Sequence, residues 1–503
     1  MQLGQLLGCV TQPLQMVRGS RACLRNPVLG VTQDSRRVGP GWIFVACPGA
    51  TKHSHDGHAF VRQACEKQAM AVLVSDAKRV VKGEKTPVFV VANSCLALAQ
   101  LAEAWHGHPS KQMQVCAVTG TNGKTSVTHL LATILQTAGY QAAVLGTLGV
   151  GKTGHLQSTL YTTSTAEDLS AQLAVLYQQG YTHVCMEMSS HALALERAHG
   201  TTLALGALTN ITRDHLDFHG SMRQYIQAKK RLFQELLAAG QPAVLPVNHS
   251  FVQQAKQRGL RVVTWGQGVQ AHVWASDVDC NSEDIFLRLH VNHKTFDVRS
   301  ALWGKLHVGN MLCAAACAWA LGVQEHVIAQ GLCRAQPLPG RMQIVRVRGN
   351  HALQAPTVLV DYAHTPHALS CVLDAALQAL PKQGRLILVF GCGGQRDPIK
   401  RPIMGAIAGQ KAHLTVLTHD NPRHEEPWSI LQNIASGIAN RSRYHVVGDR
   451  AQAIEKAIAM AHPEDIVVIA GKGHEQTQQW GDEAKPFCDV AQAQQALQKH
   501  FGS

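Results

Sequence analysis

Long apolar runs are missing from this sequence. No segment supplies the roughly 18–20 consecutive apolar residues that a membrane-spanning helix needs, although 46% of the residues are hydrophobic. The opening stretch MQLGQLLGCVTQPLQ has no basic segment ahead of its apolar residues. We therefore expect no membrane span and no signal peptide.

Cysteine pairs with the C-x-x-C spacing are also missing. The chain has 14 cysteines, but none form a C-x-x-C motif, and many stand inside apolar runs such as VCAVTG and HVCMEM. Scattered cysteines in such surroundings are typical of buried, reduced thiols. We therefore expect a cytoplasmic enzyme.

Acidic residues are fewer than basic ones. The chain has 33 Asp and Glu against 46 Lys and Arg, which gives a formal net charge of +13. The basic residues form short, dispersed clusters (DSRR, AKKR, NRSR). Positive charge is compatible with nucleic acid or with small polyanionic substrates. Because no basic face is interleaved with aromatic residues, we predict no nucleic-acid partner.

The organisation of the chain indicates an α/β protein with three domains. Its 503 residues suit about three domains of ordinary size, and we place them at residues 1–107, 108–337 and 338–503. In the last region, strand-like runs (TVLVDY, RLILVFG, HLTVLTH, DIVVIAG) alternate with helical stretches. This pattern predicts a doubly wound parallel sheet, with ligands bound beyond the carboxyl ends of its strands. The polar groups DYAHTP, GCGGQRD, HDNPRHEEP and GKGHEQ follow those strands.

A phosphate-binding loop is predicted at Gly120–Thr125. The segment AVTGTNGKTS follows an apolar strand-like run and precedes the helical pattern VTHLLATILQTAG. Backbone N–H groups of such a loop hold phosphate oxygens, with Lys124 reaching the terminal phosphates and the Thr125 hydroxyl available to Mg²⁺. The alternative is an ordinary glycine turn before a helix.

Three further residues are candidates with open alternatives. Glu187 ends the apolar run HVCMEM and suits a Mg²⁺ ligand, or it is a solvated or capping glutamate. His215 in TRDHLDFHG is a metal ligand or a surface histidine. Lys229 in YIQAKKRLF lies, on the simplest interpretation, on the solvated face of an amphipathic helix.

Nine motifs together resemble the Mur ligases, and they occur in that family's order along nearly the whole chain. The match is to the diaminopimelate-adding members of the family. The motifs are VTGTNGKTS, MEMSSHAL, TNITRDHLDFHG, YIQAKKRLF, LPGRM, DYAHTP, GCGGQRDPIKRPIMG, DNPR and AGKGHE.

The resemblance implies a fold and a reaction. The fold has a small N-terminal α/β domain for the UDP end of the substrate, a central P-loop ATPase domain with a parallel sheet, and a C-terminal Rossmann-like domain for the amino acid. In the reaction, ATP phosphorylates the γ-carboxylate of D-Glu in UDP-MurNAc-L-Ala-D-Glu, and meso-diaminopimelate attacks the acyl phosphate. The resemblance also implies a cytoplasmic enzyme of peptidoglycan precursor synthesis, which we expect to be a monomer.

The resemblance further implies roles for individual residues. Lys124, Glu187, His215 and Lys229 would be catalytic, and Lys229 would carry a CO₂-derived carbamate that holds Mg²⁺ together with Thr125, Glu187 and His215. The remaining sites would be for ATP (Gly120, Thr121, Asn122, Gly123, Lys124, Thr125, Asn310, Arg341, Asp361, His364), for the UDP-linked substrate (Ser35, Thr162, Thr163, Ser189, Arg197) and for diaminopimelate (Arg396, Asp420, Asn421, Arg423, Gly471, Glu475).

Arg423 in DNPR bears on the choice of amino acid. Diaminopimelate has a second carboxylate, which a guanidinium binds in bidentate fashion, whereas lysine would leave Arg423 unpaired. The rival enzymes are the lysine-adding ligase of the same family and a folylpolyglutamate synthetase-like ligase. The sequence departs from the family pattern at Tyr161, where Asn is common, and at Gln395, where Asp is common.

Overall fold

Three β-sheets flanked by helices follow one another along the described residues, and a separate two-stranded sheet lies near the C-terminal end. The structure is a computed structural model and describes residues 1–49, 55–79, 85–159, 162–281, 284–347 and 354–502. The predicted α/β class and its three-part architecture are confirmed. The boundaries at residues 107/108 and 337/338 remain predictions.

The N-terminal sheet has the strand order β1-β5-β4-β3-β2, in which only β1 runs antiparallel to its neighbour. Apolar side chains fill both faces, with α1 and α3 on one side and α2 on the other. The elements are α1 (Leu3–Leu7), β1 (Leu14–Arg18), β2 (Gly30–Thr32), β3 (Trp42–Val45), α2 (Val61–Glu66), β4 (Ala71–Val74), β5 (Val88–Val91) and α3 (Ser94–Trp105).

The central sheet has eleven strands, in the order β16-β15-β14-β13-β12-β11-β6-β10-β7-β8-β9. Helices α4, α10 and α11 pack on one face, and α5, α6 and α9 pack on the other. The strands are β6 (Gln114–Thr119), β7 (Ala142–Gly146), β8 (Gly149–Lys152), β9 (His155–Gln157), β10 (His183–Glu187), β11 (Leu205–Leu208), β12 (Pro242–Pro246), β13 (Arg261–Gln267), β14 (Val273–Cys280), β15 (Ile285–Val291) and β16 (Lys294–Ser300). The helices are α4 (Lys124–Thr137), α5 (Ala166–Gln178), α6 (Ser190–Ala194), α7 (Leu216–His219), α8 (Met222–Arg231), α9 (Phe251–Gln257), α10 (Leu306–Ala320) and α11 (Glu325–Cys333).

The central sheet is parallel only in part. Neighbouring strands run parallel from β14 to β7, but β15 and β16 at one edge, and β8 and β9 at the other, are antiparallel. The sequence analysis identified none of these edge strands. Asn292 and His293 connect β15 to β16 with φ of 47° and 68°, the left-handed pair of a tight hairpin. Because His is not a typical residue there, the turn gives little signal in the sequence.

The C-terminal sheet has the order β17-β18-β22-β19-β20-β21, and all its neighbours except β17–β18 are parallel. Helices α12–α14 cover one face and α15 and α16 the other, so the sheet is doubly wound, as predicted. The elements are β17 (Gln343–Val345), β18 (Thr357–Asp361), α12 (Pro366–Ala379), β19 (Leu386–Phe390), α13 (Lys400–Lys411), β20 (Leu414–Leu417), α14 (Pro427–Ala435), β21 (Tyr444–Val446), α15 (Arg450–Ala459), β22 (Ile466–Ala470), the hairpin β23 (Thr477–Trp480) and β24 (Glu483–Pro486), and α16 (Asp489–Phe501).

Polar loops follow the carboxyl ends of adjacent parallel strands in both larger sheets. In the central sheet these are the neighbours β11, β6, β10 and β7, and in the C-terminal sheet they are β18, β22, β19 and β20. The geometry of parallel sheets brings such ends to one edge. No helix within the described ranges is both long enough and apolar enough to cross a membrane.

Candidate active site

The phosphate loop joins β6 to α4. Helix α4 begins at Lys124, and Gly123 precedes it with a φ of 87°, while Gly120 has a φ of 149°. A Cβ atom at Gly120 would overlap the hydroxyl of Thr209, and one at Gly123 would overlap Oδ1 of Asn310. Both positions therefore require glycine. The unpaired N–H groups at the start of α4 suit a phosphate.

The two residues that follow β11 form hydrogen bonds with this loop. Oδ1 of Asn210 accepts a hydrogen bond from the Asn122 N–H at 3.0 Å, and its Nδ2 donates to the Asn122 carbonyl at 3.0 Å. The Thr209 hydroxyl donates to the same carbonyl at 2.6 Å. The hydroxyls of Thr121 and Tyr225 are hydrogen-bonded at 2.9 Å. The loop is thus held in shape by protein contacts alone.

The Lys124 side chain folds over the loop. Its Nζ donates to the carbonyls of Gly120 and Thr121, both at 2.9 Å. Burial lowers the pKa of Lys124, and the carboxylates of Glu187 and Asp214 oppose that shift. Two acidic groups therefore help to keep a cation at the phosphate loop.

Glu187, at the end of β10, is buried and accepts three hydrogen bonds. Its Oε2 accepts from the hydroxyls of Thr125 at 3.0 Å and Thr147 at 3.1 Å, and its Oε1 accepts from the Thr147 N–H at 2.7 Å. Arg341 donates to the Thr125 hydroxyl at 3.1 Å. Burial excludes the solvated alternative for Glu187. A hydroxyl and a carboxylate side by side fit the oxygen ligands that Mg²⁺ prefers.

His215 belongs to a group of histidines around Asp214. The backbone N–H of His215 donates to Oδ1 of Asp214 at 2.8 Å, and Nε2 of the His215 ring lies 3.2 Å from Oδ2 of Asp214. Nε2 of His364 lies 3.9 Å from the same oxygen, and the His191 ring centroid is 4.7 Å from that of His215. Burial lowers the pKa of His215 and His191 well below the usual range. Neutral imidazoles can bind a metal ion.

Lys229, on α8, is buried directly behind the phosphate loop. Its Nζ donates to the Gly120 carbonyl at 2.7 Å and lies 4.8 Å from the centre of the Tyr225 ring. Burial, followed by repulsion from the charge of Lys124, lowers the pKa of Lys229 well below its ordinary value. The interpretation as a solvated helix face is therefore wrong, because the amphipathic helix turns this lysine inward.

A cavity of about 710 Å³ opens between the central and C-terminal sheets. Most of the residues predicted for the site line it, whereas Ser35, Gly120, Lys229, Asp420, Asn421 and Gly471 do not. The predicted residues that line it are Thr121, Asn122, Gly123, Lys124, Thr125, Thr162, Thr163, Glu187, Ser189, Arg197, His215, Asn310, Arg341, Asp361, His364, Arg396, Arg423 and Glu475.

Two guanidinium groups share the C-terminal side of this cavity. Nη1 of Arg423 donates to the Gly394 carbonyl at 2.7 Å. Burial, followed by the charge of Arg396, lowers the pKa of Arg423. The N–H of Gln395 donates to Glu425 at 2.9 Å, so the glutamine that departs from the family pattern is held by its backbone. Two adjacent cations favour a ligand with carboxylates.

Asp420, Asn421 and Gly471 lie behind the cavity wall. Nδ2 of Asn421 donates to Oε2 of Glu475 at 2.9 Å. A Cβ atom at Gly471 would lie 2.6 Å from Oδ2 of Asp420. In this structure these residues shape the pocket through their neighbours and do not line it.

A second group of side chains lies in the segments after β7, β9 and β10. The Thr163 hydroxyl accepts from the Ser189 N–H at 3.1 Å, and Arg197 donates to the Thr163 carbonyl at 3.0 Å. The hydroxyls of Thr147 and Thr162 are hydrogen-bonded at 3.0 Å. The sequence motifs YTTST and MEMSSHAL therefore meet at one place.

Ser35 is not brought to this group. It is buried in the N-terminal region and donates to Oε1 of Gln63 at 2.7 Å. A second cavity, of about 640 Å³, lies between the N-terminal and central regions, but Ser35 does not line it. Tyr161 lies outside the described residues.

Three domain models of one family match successive parts of the chain. Residues 27–106 match the catalytic domain of the Mur ligase family, residues 118–318 the Mur ligase middle domain, and residues 340–473 the Mur ligase glutamate ligase domain. The chain is 40% identical over 477 residues to the UDP-N-acetylmuramoyl-L-alanyl-D-glutamate–2,6-diaminopimelate ligase of Chromobacterium violaceum, covering 94% of each chain. It belongs to the Mur ligase family. The ligase of the same name from Synechocystis is 38% identical over 511 residues, 99% of each chain.

Solved structures of Mur ligases and their relatives have the same fold. A structure of UDP-N-acetylmuramoyl-L-alanyl-D-glutamate–2,6-diaminopimelate ligase is 31% identical, with a TM-score of 0.64, and covers 95% of this chain and 96% of that one. MurF from Thermotoga maritima in complex with ADP has a TM-score of 0.62 at 18% identity, covering 94% and 97%. At that identity the likeness concerns the fold alone.

The sequence analysis gave no role to four side chains of this Mur ligase site. Asp214 and Asn210 stand in TNITRDHLDFHG, and His191 stands in MEMSSHAL, so the motifs that indicated their neighbours contain the signal. Thr147 directly follows β7, the strand next to β10. Its position at a strand end was the only clue to it.

One group outside the site has the spacing of metal ligands within the described residues: Glu196, His199 and Glu235. Arg231 lies 2.5 Å from Oε1 of Glu196 and 2.7 Å from Oε2 of Glu235. The guanidinium supplies the positive charge that a cation would bring, so we interpret the group as a salt-bridge network.

The phosphate loop gives a test with a matched control. In Gly123→Ala the new Cβ would overlap Asn310 at a φ of 87°, so the loop has to shift. We expect ATP turnover to fall by about 100-fold, as displacements near 1 Å at reacting groups do. Gly139→Ala is the control, because its φ is 88° but nothing lies within 4 Å of the new atom. Equal loss in both variants, measured as phosphate release, would contradict this assignment.

Proposed function

We propose that this Mur ligase is an ATP-dependent amide ligase that adds meso-2,6-diaminopimelate to the γ-carboxylate of D-Glu in UDP-MurNAc-L-Ala-D-Glu, a step of peptidoglycan precursor synthesis. One observation carries the proposal: the phosphate loop and the pair Arg396 and Arg423 open into the same cavity. A nucleotide at the loop and an amino acid at the pair would meet there. Relatives named for this reaction along nearly their full length support the choice of substrates.

The first step is transfer of a phosphoryl group. A carboxylate does not acylate an amine, because oxide would have to leave. Transfer of the γ-phosphoryl of ATP to the carboxylate forms an acyl phosphate and ADP, and phosphate then becomes the leaving group. The two reactants are anions, so the site has to offset their repulsion. Lys124 and Arg341 supply positive charge on the cavity wall.

The second step forms the amide. The amino group of diaminopimelate attacks the acyl carbon, and the tetrahedral intermediate expels phosphate as the nitrogen gives up its proton. Positioning dominates this step, since holding two reactants in contact removes much of the entropic barrier. The central region would hold the acyl phosphate and the C-terminal region the amine.

Thr125 and Glu187 are suited to hold Mg²⁺. Their oxygens lie 3.0 Å apart, and the neutral ring of His215 lines the same cavity. Mg²⁺ bound there would offset the negative charge of the phosphates.

Lys229 is suited to carry a carbamate. Only a neutral amine reacts with CO₂, and the carbamate forms with release of a proton. Burial and the charge of Lys124 lower the pKa of Lys229, which favours the neutral amine. The modified side chain would present an anion in place of the amine whose Nζ now donates to the Gly120 carbonyl at 2.7 Å.

The UDP end of the substrate would extend towards the N-terminal region. Thr162, Thr163, Ser189 and Arg197 line the main cavity and would contact the part nearest the reacting carboxylate. The cavity between the N-terminal and central regions offers room for the remainder. Ser35 would contact it only after a rearrangement, because its hydroxyl bonds Gln63.

Arg423 favours diaminopimelate over the rival amino acids. A guanidinium binds a second carboxylate in bidentate fashion, and lysine would leave that cation unpaired in a partly buried pocket. The folylpolyglutamate synthase of Mycobacterium tuberculosis has a TM-score of 0.63 at 16% identity, which concerns the fold alone. The alternatives remain the lysine-adding ligase and the folylpolyglutamate synthetase-like ligase.

The proposal includes a monomeric enzyme in the cytoplasm. All 14 cysteines are free thiols, which suits a reducing compartment. A nucleic-acid partner is not part of the proposal.

The reaction is tested by phosphate release from ATP in the presence of Mg²⁺ and UDP-MurNAc-L-Ala-D-Glu. We expect release with meso-diaminopimelate and little with L-lysine. In Arg423→Ala the KM for diaminopimelate should rise by about 10- to 100-fold, the range for a charged hydrogen-bonded pair. Arg443→Ala, at an exposed arginine of the same region, should match the wild type. Release with lysine alone would overturn the specificity.

The carbamate is tested by ¹³C NMR with labelled bicarbonate. We expect a carbamate signal in the wild-type protein that is absent in Lys229→Ala, and Lys229→Ala should be nearly inactive. Because deprotonation precedes reaction with CO₂, the signal should weaken as the pH falls through the lowered pKa of Lys229. Lys230→Ala, at the neighbouring position, should keep the signal. A fully active Lys229→Ala variant would refute the role.

A further inference from the structure

Lys472 is a fully buried cation behind the amino-acid side of the cavity. It stands in the segment after β22 and has no exposed surface. Its Nζ donates to Oε2 of Glu475 at 2.7 Å and to Oδ1 of Asn421 at 2.9 Å. A buried ammonium is costly unless it is paired and hydrogen-bonded. These contacts therefore explain how Lys472 is tolerated there.

The three side chains form a closed triangle. Asn421 completes it by donating from Nδ2 to Oε2 of Glu475 at 2.9 Å, and the N–H of Gln479 donates to Oδ1 of Asn421 at 2.9 Å. Oε2 of Glu475 thus accepts two hydrogen bonds, from Lys472 and Asn421, which do not line the cavity. Among the described residues no donor is bonded to its Oε1, and Glu475 lines the cavity.

We infer that Lys472 is a positioning residue for the incoming amino acid: it orients the Glu475 carboxylate so that Oε1 receives the ammonium of the amino-acid substrate. This inference rests on the proposed function. Lys472 does not line the cavity, whereas Glu475 does, so Lys472 acts through Glu475.

The charges around the pocket favour this role. Arg396 and Arg423 line the cavity together with Glu475, so a zwitterionic group would find cations for its carboxylate and the Glu475 carboxylate for its ammonium. A carboxylate held at one oxygen by an ammonium and an amide has little freedom to turn towards the neighbouring arginines. Without Lys472, Glu475 would be free to pair with a guanidinium instead, and the ammonium site would be lost.

The test compares steady-state constants of the full chain with meso-diaminopimelate as the amino acid. In Lys472→Met, a side chain of similar length without charge or donors, we expect the KM for diaminopimelate to rise about 10- to 100-fold, the range for hydrogen bonds to charged groups. The KM for ATP should stay unchanged, because the phosphate loop is not involved. An unchanged KM for diaminopimelate in the folded variant would overturn the inference.

A double-mutant cycle separates positioning from general support of the fold. If Lys472 acts through Glu475, the variant Lys472→Met/Glu475→Gln should have no higher KM than the more affected single variant. Additive effects would overturn the inference. Arg385→Met is the matched control, because it removes a salt bridge of 2.7 Å to Asp465 at the other end of β22. We expect it to lower the melting temperature without raising the KM.

Failure of the proposed function and failure of the role of Lys472 give different results. If wild-type protein releases no phosphate with diaminopimelate, the proposed function fails, whereas an active wild type with an unaffected Lys472→Met contradicts only the role of Lys472. Should Lys472→Met fail to fold, Asn421→Ala removes one side of the triangle and leaves the lysine in place. Its KM for diaminopimelate should rise without adding to the effect of Glu475→Gln, and an unchanged KM would count against the inference.

Discussion

The hydroxyl of Thr125 joins three parts of the chain that have to meet for this site to exist. It donates to Glu187 at 3.0 Å and accepts from Arg341 at 3.1 Å. Thr125 belongs to the first turn of α4, Glu187 ends β10, and Arg341 precedes the C-terminal sheet. One oxygen atom therefore links the phosphate loop, a metal-suited carboxylate and the region that would hold the amino acid.

Buried cations are the second constraint on the site. Lys124 and Lys229 both donate to the Gly120 carbonyl, at 2.9 and 2.7 Å, and two ammonium groups so close destabilise each other's charge. The surrounding charged groups act differently on the two lysines. Glu187 and Asp214 oppose the fall of the pKa of Lys124, and Asp214 also opposes that of Lys229, which burial and the charge of Lys124 lower well below its ordinary value. The same pair of lysines thus supplies one cation and one amine suited to modification.

The elements that were predictable are those with a local cause. Strands β18, β19, β20 and β22 are continuous apolar runs, because both faces of a doubly wound sheet are covered by helices. The glycines Gly120 and Gly123 were predictable for a similar reason, because the backbone of the phosphate loop leaves no room for a side chain at these positions. Strands β15 and β16 were missed although β15 alternates along its seven residues, because their hairpin turn has His293 where glycine is usual.

The sequence by itself determined the parallel strands of the doubly wound C-terminal sheet, the phosphate loop and the identity of the motifs that converge on the site. Only the tertiary structure decided that Lys229 faces inward, that Asp420 and Asn421 lie behind the cavity wall, that Ser35 stays apart from the other predicted residues, and that Lys472 holds Glu475. The reason is physical. Burial depends on how the regions of the chain pack, and so do hydrogen bonds between distant residues. Arg341 and Thr125, for example, are 216 positions apart in the sequence, and no local pattern of residue types predicts that they meet.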